Sequence, residues 1–338
     1  MNETRAVLKW PYPRTLLAAL ALLLVCCGKA PAQECFVGSE IPGATLQAIE
    51  AAAKTYFNMS AQGDVAGLKA NALPDVAANF DGVERAVVTN RQFLAQGQLL
   101  PSKVYLLDAT SSKTTWARAE FYCGIYNSPD RVGLAIPNLP PGRYAMIISP
   151  VSGKDPVTLT MILAESGNNV WKLAGYYVRR NSIGGHDGQW FVAKAREYKE
   201  KGQAHNAWFY YLTAWDLMAP VDFISTPALD KLGDEVQAAR PPDLPGSGPA
   251  LDLMVGGKPV AVKELAVVTV NADLDLRVSY EAENAGNPAL ASQENAAVMK
   301  ALLARYPELR EAFAALIAHA TDSTGHDYGT VTPMKDVK

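Results

Sequence analysis

Six strand-like stretches follow one another between residues 103 and 179, and they constrain the fold more than any other feature of the sequence. They are rich in β-branched and aromatic residues, and turn residues separate them, most clearly Ser166-Gly167-Asn168-Asn169 before the last one. The stretches are Lys103–Leu107, Thr114–Tyr126, Arg131–Ile136, Arg143–Ile148, Val157–Ala164 and Val170–Arg179. Such a series predicts strands that pair antiparallel through short turns.

A helical pattern precedes these strands. Between Thr45 and Ala61, apolar residues recur every three or four positions: Leu46, Ile49, Ala53, Tyr56 and Phe57. Gly63 can close this helix in a left-handed conformation, and Asp64 can cap the next helix. Helices followed by antiparallel strands predict an α+β fold rather than a parallel βαβ one.

The N-terminus has the pattern of a secretory signal peptide. Three basic residues precede the apolar run Leu16–Cys27, and Ala30-Pro31-Ala32 supplies small residues for cleavage. The 12 apolar residues are too few for a membrane span, which needs about 20, so no stable span is expected after processing. We therefore expect an exported protein, periplasmic or extracellular; the alternative is a lipid anchor on Cys26.

Removal of residues 1–32 changes the charge and the cysteine content. The remaining chain has 27 basic against 33 acidic residues, a net charge of −6, so nothing electrostatic favours nucleic acid as a partner. Only Cys35 and Cys123 remain in an oxidising compartment. We predict a Cys35–Cys123 disulfide; the alternative is two unpaired thiols.

Part of the chain resembles a known superfamily. The segments AAAKTYFNMSAQGDVAGL (51–68), LPDV (73–76) and TLTMILAESGNNVWKLAGYYVRR (158–180) look like the nuclear-transport-factor-2-like superfamily, which includes SnoaL-like polyketide cyclases and ketosteroid isomerases. The resemblance covers about residues 42–181 and implies a curved sheet wrapped around helices into a cone. Catalytic members hold an acid or base in the mouth of the cone, whereas other members are binding or dimerisation domains.

An isomerase or cyclase would need a carboxylate or histidine in an apolar pocket, with a tyrosine or a protonated acid to hold an oxyanion. The candidates are Asp75, Asp81, Tyr56 and Tyr122. Both aspartates also fit ordinary turns, and the tyrosines fit amphipathic elements. Because no histidine lies between residues 33 and 185, we expect these residues to be structural.

The stretch Thr114–Tyr126 alternates between two faces. Its polar and aromatic face is predicted to carry Trp116, Arg118, Glu120, Tyr122 and Tyr126. Such a face suits either a ligand-lined surface or a surface covered by another element. We expect covering, because the next segment supplies a helical element.

Residues 188–220 resemble one tetratricopeptide repeat. The matching positions are Phe191, Ala195, Tyr198, Gly202, Ala207, Tyr211 and Ala214. One repeat is too few for a peptide-binding groove, so the predicted hairpin must bury its apolar stripe elsewhere. We expect it to cover the aromatic sheet face, with Trp116, Tyr126, Trp208 and Trp215 as interdomain contacts. We also expect a further helix over Pro227–Ala239.

The C-terminal quarter of the chain is predicted to be a separate unit behind a proline-rich linker. Four strands are expected between residues 251 and 280, then a helix capped by Ser292 over residues 293–305 and another over 307–319. The predicted organisation is a signal peptide (1–32), a nuclear-transport-factor-2-like domain (33–183), a tetratricopeptide-like segment (184–238), a linker (239–250) and a small α+β domain (251–338).

No common catalytic or cofactor motif stands out. His319 and His326 are close in sequence and lie near acidic residues, which makes them candidate metal ligands, but helix-end and turn roles explain them as well. No cofactor is expected. The sequence favours a non-enzymatic binding or scaffold protein that acts through a protein partner or a homodimer; the alternatives are binding of a small apolar ligand in the cone and SnoaL-like lyase or isomerase activity.

Processing can be tested by mass spectrometry of the exported protein without reduction. We expect a mature chain that begins at Gln33 and lacks lipid, with Cys35 and Cys123 joined. A different N-terminus would contradict the cleavage site, a lipid on Cys26 would favour the anchored alternative, and two free thiols would contradict the disulfide.

Overall fold

A computed structural model describes residues 34–125, 127–245, 251–270 and 272–338. The predicted signal peptide, with Cys26, lies outside these residues. The expected α+β class is confirmed. The helices are α1 (Gly43–Gln62), α2 (Val65–Ala70), α3 (Pro74–Ala78), α4 (Asp81–Ala95), α5 (Gly188–Glu200), α6 (Ala204–Met218), α7 (Pro227–Ala239) and α8 (Pro288–Arg305).

The strands belong to three larger sheets and one small two-stranded ladder. In chain order they are β1 (Glu34–Val37), β2 (Gln98–Leu99), β3 (Lys103–Asp108), β4 (Trp116–Cys123), β5 (Val132–Leu139), β6 (Arg143–Ser152), β7 (Val157–Glu165), β8 (Trp171–Arg180), β9 (Ser182–Ile183), β10 (His186–Asp187), β11 (Ile224–Ser225), β12 (Leu251–Val255), β13 (Lys258–Val270), β14 (Asp273–Glu281), β15 (Ala315–Thr321) and β16 (Asp327–Pro333).

Sheet 1 is antiparallel, with the strand order β1-β3-β6-β7-β8 and β2 added beside β6. The turn predicted between β7 and β8 is confirmed: Ser166 N–H donates to the Val170 carbonyl at 2.8 Å, and Gly167 and Asn169 adopt positive φ angles. The Leu73 N–H donates a hydrogen bond to the Leu173 carbonyl at 2.9 Å, and this contact holds the short helices against β8 at the edge of the sheet.

Helices α1 to α4 cover one face of sheet 1 and form the helix-side core with it. In α1 the buried residues include Ile49, Ala53, Tyr56 and Phe57, as the spacing predicts. Gly63 ends α1 with φ 75°, and the Asp64 carboxylate caps α2 by accepting from the Gly67 N–H at 2.8 Å. These local signals set the angle between α1 and α2.

Sheet 2 covers the opposite face of sheet 1. It has the order β11-β5-β4, and its inner residues Phe121, Leu134 and Ile136 meet Tyr105 and Met146 of sheet 1 in the inter-sheet core. The strands predicted as one series are therefore divided between two layers. The division leaves the outer face of β4 and β5 towards solvent.

A disulfide joins the two layers at one side, as predicted. Cys35 of β1 and Cys123 of β4 are bonded, with their Cα atoms 5.2 Å apart. Because the bond closes a sequence separation of 88 residues, it restricts the unfolded chain strongly.

Helices α5 and α6 follow each other closely in the chain and pack together, and α7 has the bounds expected from the sequence. However, the prediction that the hairpin covers the aromatic face of β4 is wrong. Phe191, Tyr198, Phe209 and Tyr211 pack instead with the C-terminal strands and helix, in the C-terminal core. That side offers apolar partners such as Phe313, whose ring lies edge-on to Phe209 at 5.8 Å.

Sheet 3 forms the C-terminal unit in the order β12-β13-β14-β15-β16. Strands β14 and β15 are parallel, and α8 connects them. Helix α8 begins at Pro288 with Asn287 as its cap, not after Ser292. The predicted helix over 307–319 is also wrong: residues 307–311 form a short 3-10 helix, and His319 lies in β15.

The described part of the proline-rich segment is packed against the protein. Leu244 is buried in the C-terminal core, and Asp243 accepts hydrogen bonds from Tyr306 at 2.8 Å and from His205 at 2.9 Å. The other ring nitrogen of His205 lies 2.9 Å from Glu308. This cluster fixes residues 243–244 to α6 and to the end of α8.

Replacement of Cys35 and Cys123 by serine is expected to lower the free energy of unfolding by roughly 2–4 kcal/mol, because the unfolded chain regains freedom. Denaturant titration measures the change. Wild-type protein under reducing conditions is the control and is expected to match the double variant. Equal stability of the oxidised wild type and the variant would contradict a stabilising role.

The Asp243→Asn variant is expected to lose about 1 kcal/mol of stability at neutral pH. Partial burial favours the neutral acid, but hydrogen bonds from Tyr306 and His205 outweigh it and hold the pKa of Asp243 below its ordinary value. The stabilisation is therefore complete above the ordinary Asp pKa and disappears as the pH falls through the lower folded-state value. Unfolding curves at neutral and acid pH measure this, and a pH-independent difference would contradict it.

Candidate binding surface

Large aromatic side chains contribute to the helix-side core. Tyr56, Phe57, Phe80, Trp171 and Tyr176 are all buried there. The Tyr56 hydroxyl donates to the Trp171 carbonyl at 2.7 Å, and burial raises the pKa of Tyr56. Tyr56 thus links α1 to β8.

The four residues considered for acid–base catalysis do not converge. Asp75 and Asp81 are exposed in the first turns of α3 and α4, where a carboxylate interacts favourably with the positive end of a helix. Tyr122 is 68% exposed on the outer face of β4, on the opposite side of sheet 1 from Tyr56.

A broad groove crosses the outer face of sheet 2. Its volume is about 670 Å³, and its lining includes Arg118, Glu120, Tyr122, Pro137, Phe223 and Ser225. The segment before β11 forms one wall, because Phe223 accepts a backbone hydrogen bond from Ala135 at 2.9 Å and stacks edge-on with Tyr177 at 5.7 Å.

The strand geometry of β4 explains which side chains reach this groove. Ala119, Phe121 and Cys123 are buried, so Arg118, Glu120 and Tyr122 point outward, as the alternation predicts. The alternation shifts at the start of β4: Trp116 packs against the inter-sheet core, whereas Ala117 lines the groove. The same shift occurs on β5, where Pro137 and Asn138 are both exposed and Asn138 has φ 51°.

Charged and hydroxyl groups are linked along the exposed row. Arg118 Nε donates to Glu120 Oε1 at 2.7 Å, and the Tyr122 hydroxyl donates to Glu120 Oε2 at 3.4 Å. The hydrogen bond and charge of Arg118 lower the pKa of Glu120. The row therefore presents a carboxylate, a guanidinium cation and an aromatic ring to solvent.

The residues predicted as interdomain contacts have separate locations. Trp208 is partly buried against the C-terminal core, with Arg240 5.4 Å above its ring. Trp215 contacts both the C-terminal and the inter-sheet cores. Trp116 belongs to the inter-sheet core, and Tyr126 lies outside the described residues.

The two candidate metal ligands have different partners. His319 Nε2 lies 3.2 Å from Asp327, while His326 Nδ1 lies 2.8 Å from the Thr324 hydroxyl. Within the part of the chain that the structure describes, no three His, Cys, Asp or Glu side chains are grouped so as to hold a metal ion.

Sequence reasoning missed the wall formed by Asp222 and Phe223. The sequence does contain one signal for this wall. Pro220 and Pro227 enclose a stretch that is too short for a helix and contains the apolar residues of a short strand. The contact of this wall with β5 joins residues far apart in sequence, and no local pattern indicates it.

Comparison with known proteins finds no family model that matches the chain, no similar curated protein and no similar solved structure. Among the described helices, none has both the length and the apolar character needed to cross a membrane.

Proposed function

We propose that this is an exported, non-enzymatic association protein whose outer groove on sheet 2 binds the same groove of a second copy. The observation that carries the proposal is the exposed row Arg118, Glu120 and Tyr122, in which a cation, an anion and an aromatic ring lie side by side. Export is part of the proposal and is supported by the disulfide and the signal-like N-terminus.

The separate locations of Tyr56, Asp75, Asp81 and Tyr122 argue against catalysis in the cone. An enzyme or a ligand carrier of that kind needs an open apolar cavity with convergent polar groups. Here Tyr56 is bonded to the backbone, and the two aspartates face solvent. A scaffold role does not require an open interior.

The charges of the groove argue for a second copy as the partner. In a two-fold symmetric interface, the same surface meets itself, so every contact occurs twice. A two-fold axis that passes between Arg118 and Glu120 places Arg118 of each copy opposite Glu120 of the other copy. The two ion pairs formed in this way have complementary charges without any change in sequence.

Exposed large side chains supply the apolar part of this interface. Tyr122 is 68% exposed and Ile125 is 79% exposed, both near the end of β4. Tyrosine is enriched at interfaces because its ring buries apolar area while its hydroxyl keeps a polar partner. Burial of Tyr122 in the opposite groove would remove this area from water.

The likeness to the nuclear-transport-factor-2-like superfamily remains part of the proposal. It is supported by four helices on one face of an antiparallel sheet, within the residues that carry the resemblance. That superfamily includes dimerisation domains, in agreement with self-association. Proteins of this fold differ in function, so the groove and not the fold carries the argument.

Charge reversal tests the proposal. Arg118→Glu and Glu120→Arg are each expected to weaken the dimer by about tenfold or more, because each change places like charges opposite each other twice. An equimolar mixture of the two variants is expected to form a heterodimer, since the charges are then opposite again. Analytical ultracentrifugation across a concentration series measures both effects.

The matched control is Lys154→Glu, which reverses an exposed charge in the β6–β7 turn and is expected to leave the dimer unchanged. A wild-type protein that is monomeric at all soluble concentrations would overturn self-association. A dimer that tolerates both single reversals would move the interface away from this groove. Two variants that stay monomeric when mixed would contradict the pairing of Arg118 with Glu120.

A further inference from the structure

A second cavity lies on the inner side of sheet 2, next to the inter-sheet core. It has a volume of about 380 Å³. It lies between residues of β3, β6 and β7 in sheet 1 and the segment that joins α6 to α7. This size is within the range of pockets that bind small molecules. Ile224 contributes to both this cleft and the outer groove, but the other residues named here for the cleft do not line the groove.

The walls of the cleft are mainly apolar. Ile148 of β6 and Val132 of β5 line it, and Leu217, Met218 and Leu229 line it from the helical side. Met218 adapts its shape to different partners because its side chain is unbranched and flexible. The apolar part of a ligand bound here would be shielded from water on several sides.

The charged residues that line the cleft are both cations. Arg179 is already paired, because its guanidinium donates to Asp222 at 2.6 Å. Lys103 is exposed and forms no ion pair with the described residues. No carboxylate lines the cleft, although Asp130 lies near Tyr105, so Lys103 is the lining cation without an ion pair among the described residues.

A neutral donor lies beside this cation. Tyr105 follows Lys103 by two residues on β3, so both side chains point to the same side of the strand. Burial, together with the nearby charge of Asp130, raises the pKa of Tyr105. Its hydroxyl is therefore protonated at neutral pH and can donate a hydrogen bond.

We propose that this cleft binds a small molecule with an apolar body and one carboxylate group. The carboxylate lies at Lys103, within reach of the Tyr105 hydroxyl, and the apolar body extends between Ile148 and Leu229. A ligand in this position contacts sheet 1 and the segment between α6 and α7 together. Binding in the cleft does not depend on self-association through the outer groove.

Octanoate and 1-octanol form a matched pair of probes, with the same chain length and with or without the charge. NMR titration of the oxidised full-length protein is expected to show saturable binding of both, tighter for octanoate. Lys103→Met is expected to weaken octanoate binding two- to fivefold, the range of an exposed ion pair, and to leave octanol binding unchanged. Retained octanol binding also demonstrates that the variant is folded.

A second variant tests the location. Ala228→Trp fills the cleft from the exposed start of α7 and is expected to weaken both probes at least tenfold. Ala238→Trp, near the other end of the same helix and also exposed, is the matched control and is expected to bind as the wild type does.

Three results would overturn the proposal. If neither probe binds the wild type saturably, the cleft is not a ligand site of this class. Equal loss of octanoate and octanol in Lys103→Met, or no loss of either, would contradict recognition of a carboxylate. Unchanged binding in Ala228→Trp would place the ligand elsewhere.

Discussion

Burial of both faces of sheet 1 is the constraint on which the other features depend. Strands β6 and β7 are almost continuously apolar, as expected for strands covered on two sides, and they separate the helix-side core from the inter-sheet core. Because helices cover one face and sheet 2 the other, the outer face of β4 and β5 is left to solvent. The groove, the exposed Tyr122 and the cleft behind β5 all follow from this layering.

Local sequence patterns predicted most helices and strands. The predictions that were wrong concern segments whose structure depends on pairing with residues far away in the sequence. Gly63 predicts where α1 ends and Pro227 predicts where α7 begins, because each residue affects the backbone only of its near neighbours. The stretch 307–319 has helical spacing, yet β15 forms there because its residues pair with β14 on one side and β16 on the other. Periodicity in an alanine-rich segment does not contain that information.

The candidate surface was predictable only in part. Alternation in β4 correctly placed Arg118, Glu120 and Tyr122 on one face. That this face stays open to solvent could not be read from the sequence, because the apolar stripe of α5 and α6 fits any apolar surface of suitable size. Phe209 and Phe313 pair across the C-terminal core, and this contact between distant residues decides where the hairpin lies.

The placement of α5 and α6 has a consequence for the order of folding. A chain that is made from its N-terminus completes sheets 1 and 2 early, apart from β11, and both cysteines of the disulfide are present at that stage. The hairpin follows, but the strands that bury its aromatic residues come later in the chain. Until β14 and β15 are available, Phe209 and Tyr211 lack much of the core that buries them, so apolar surface of the hairpin is exposed during this interval.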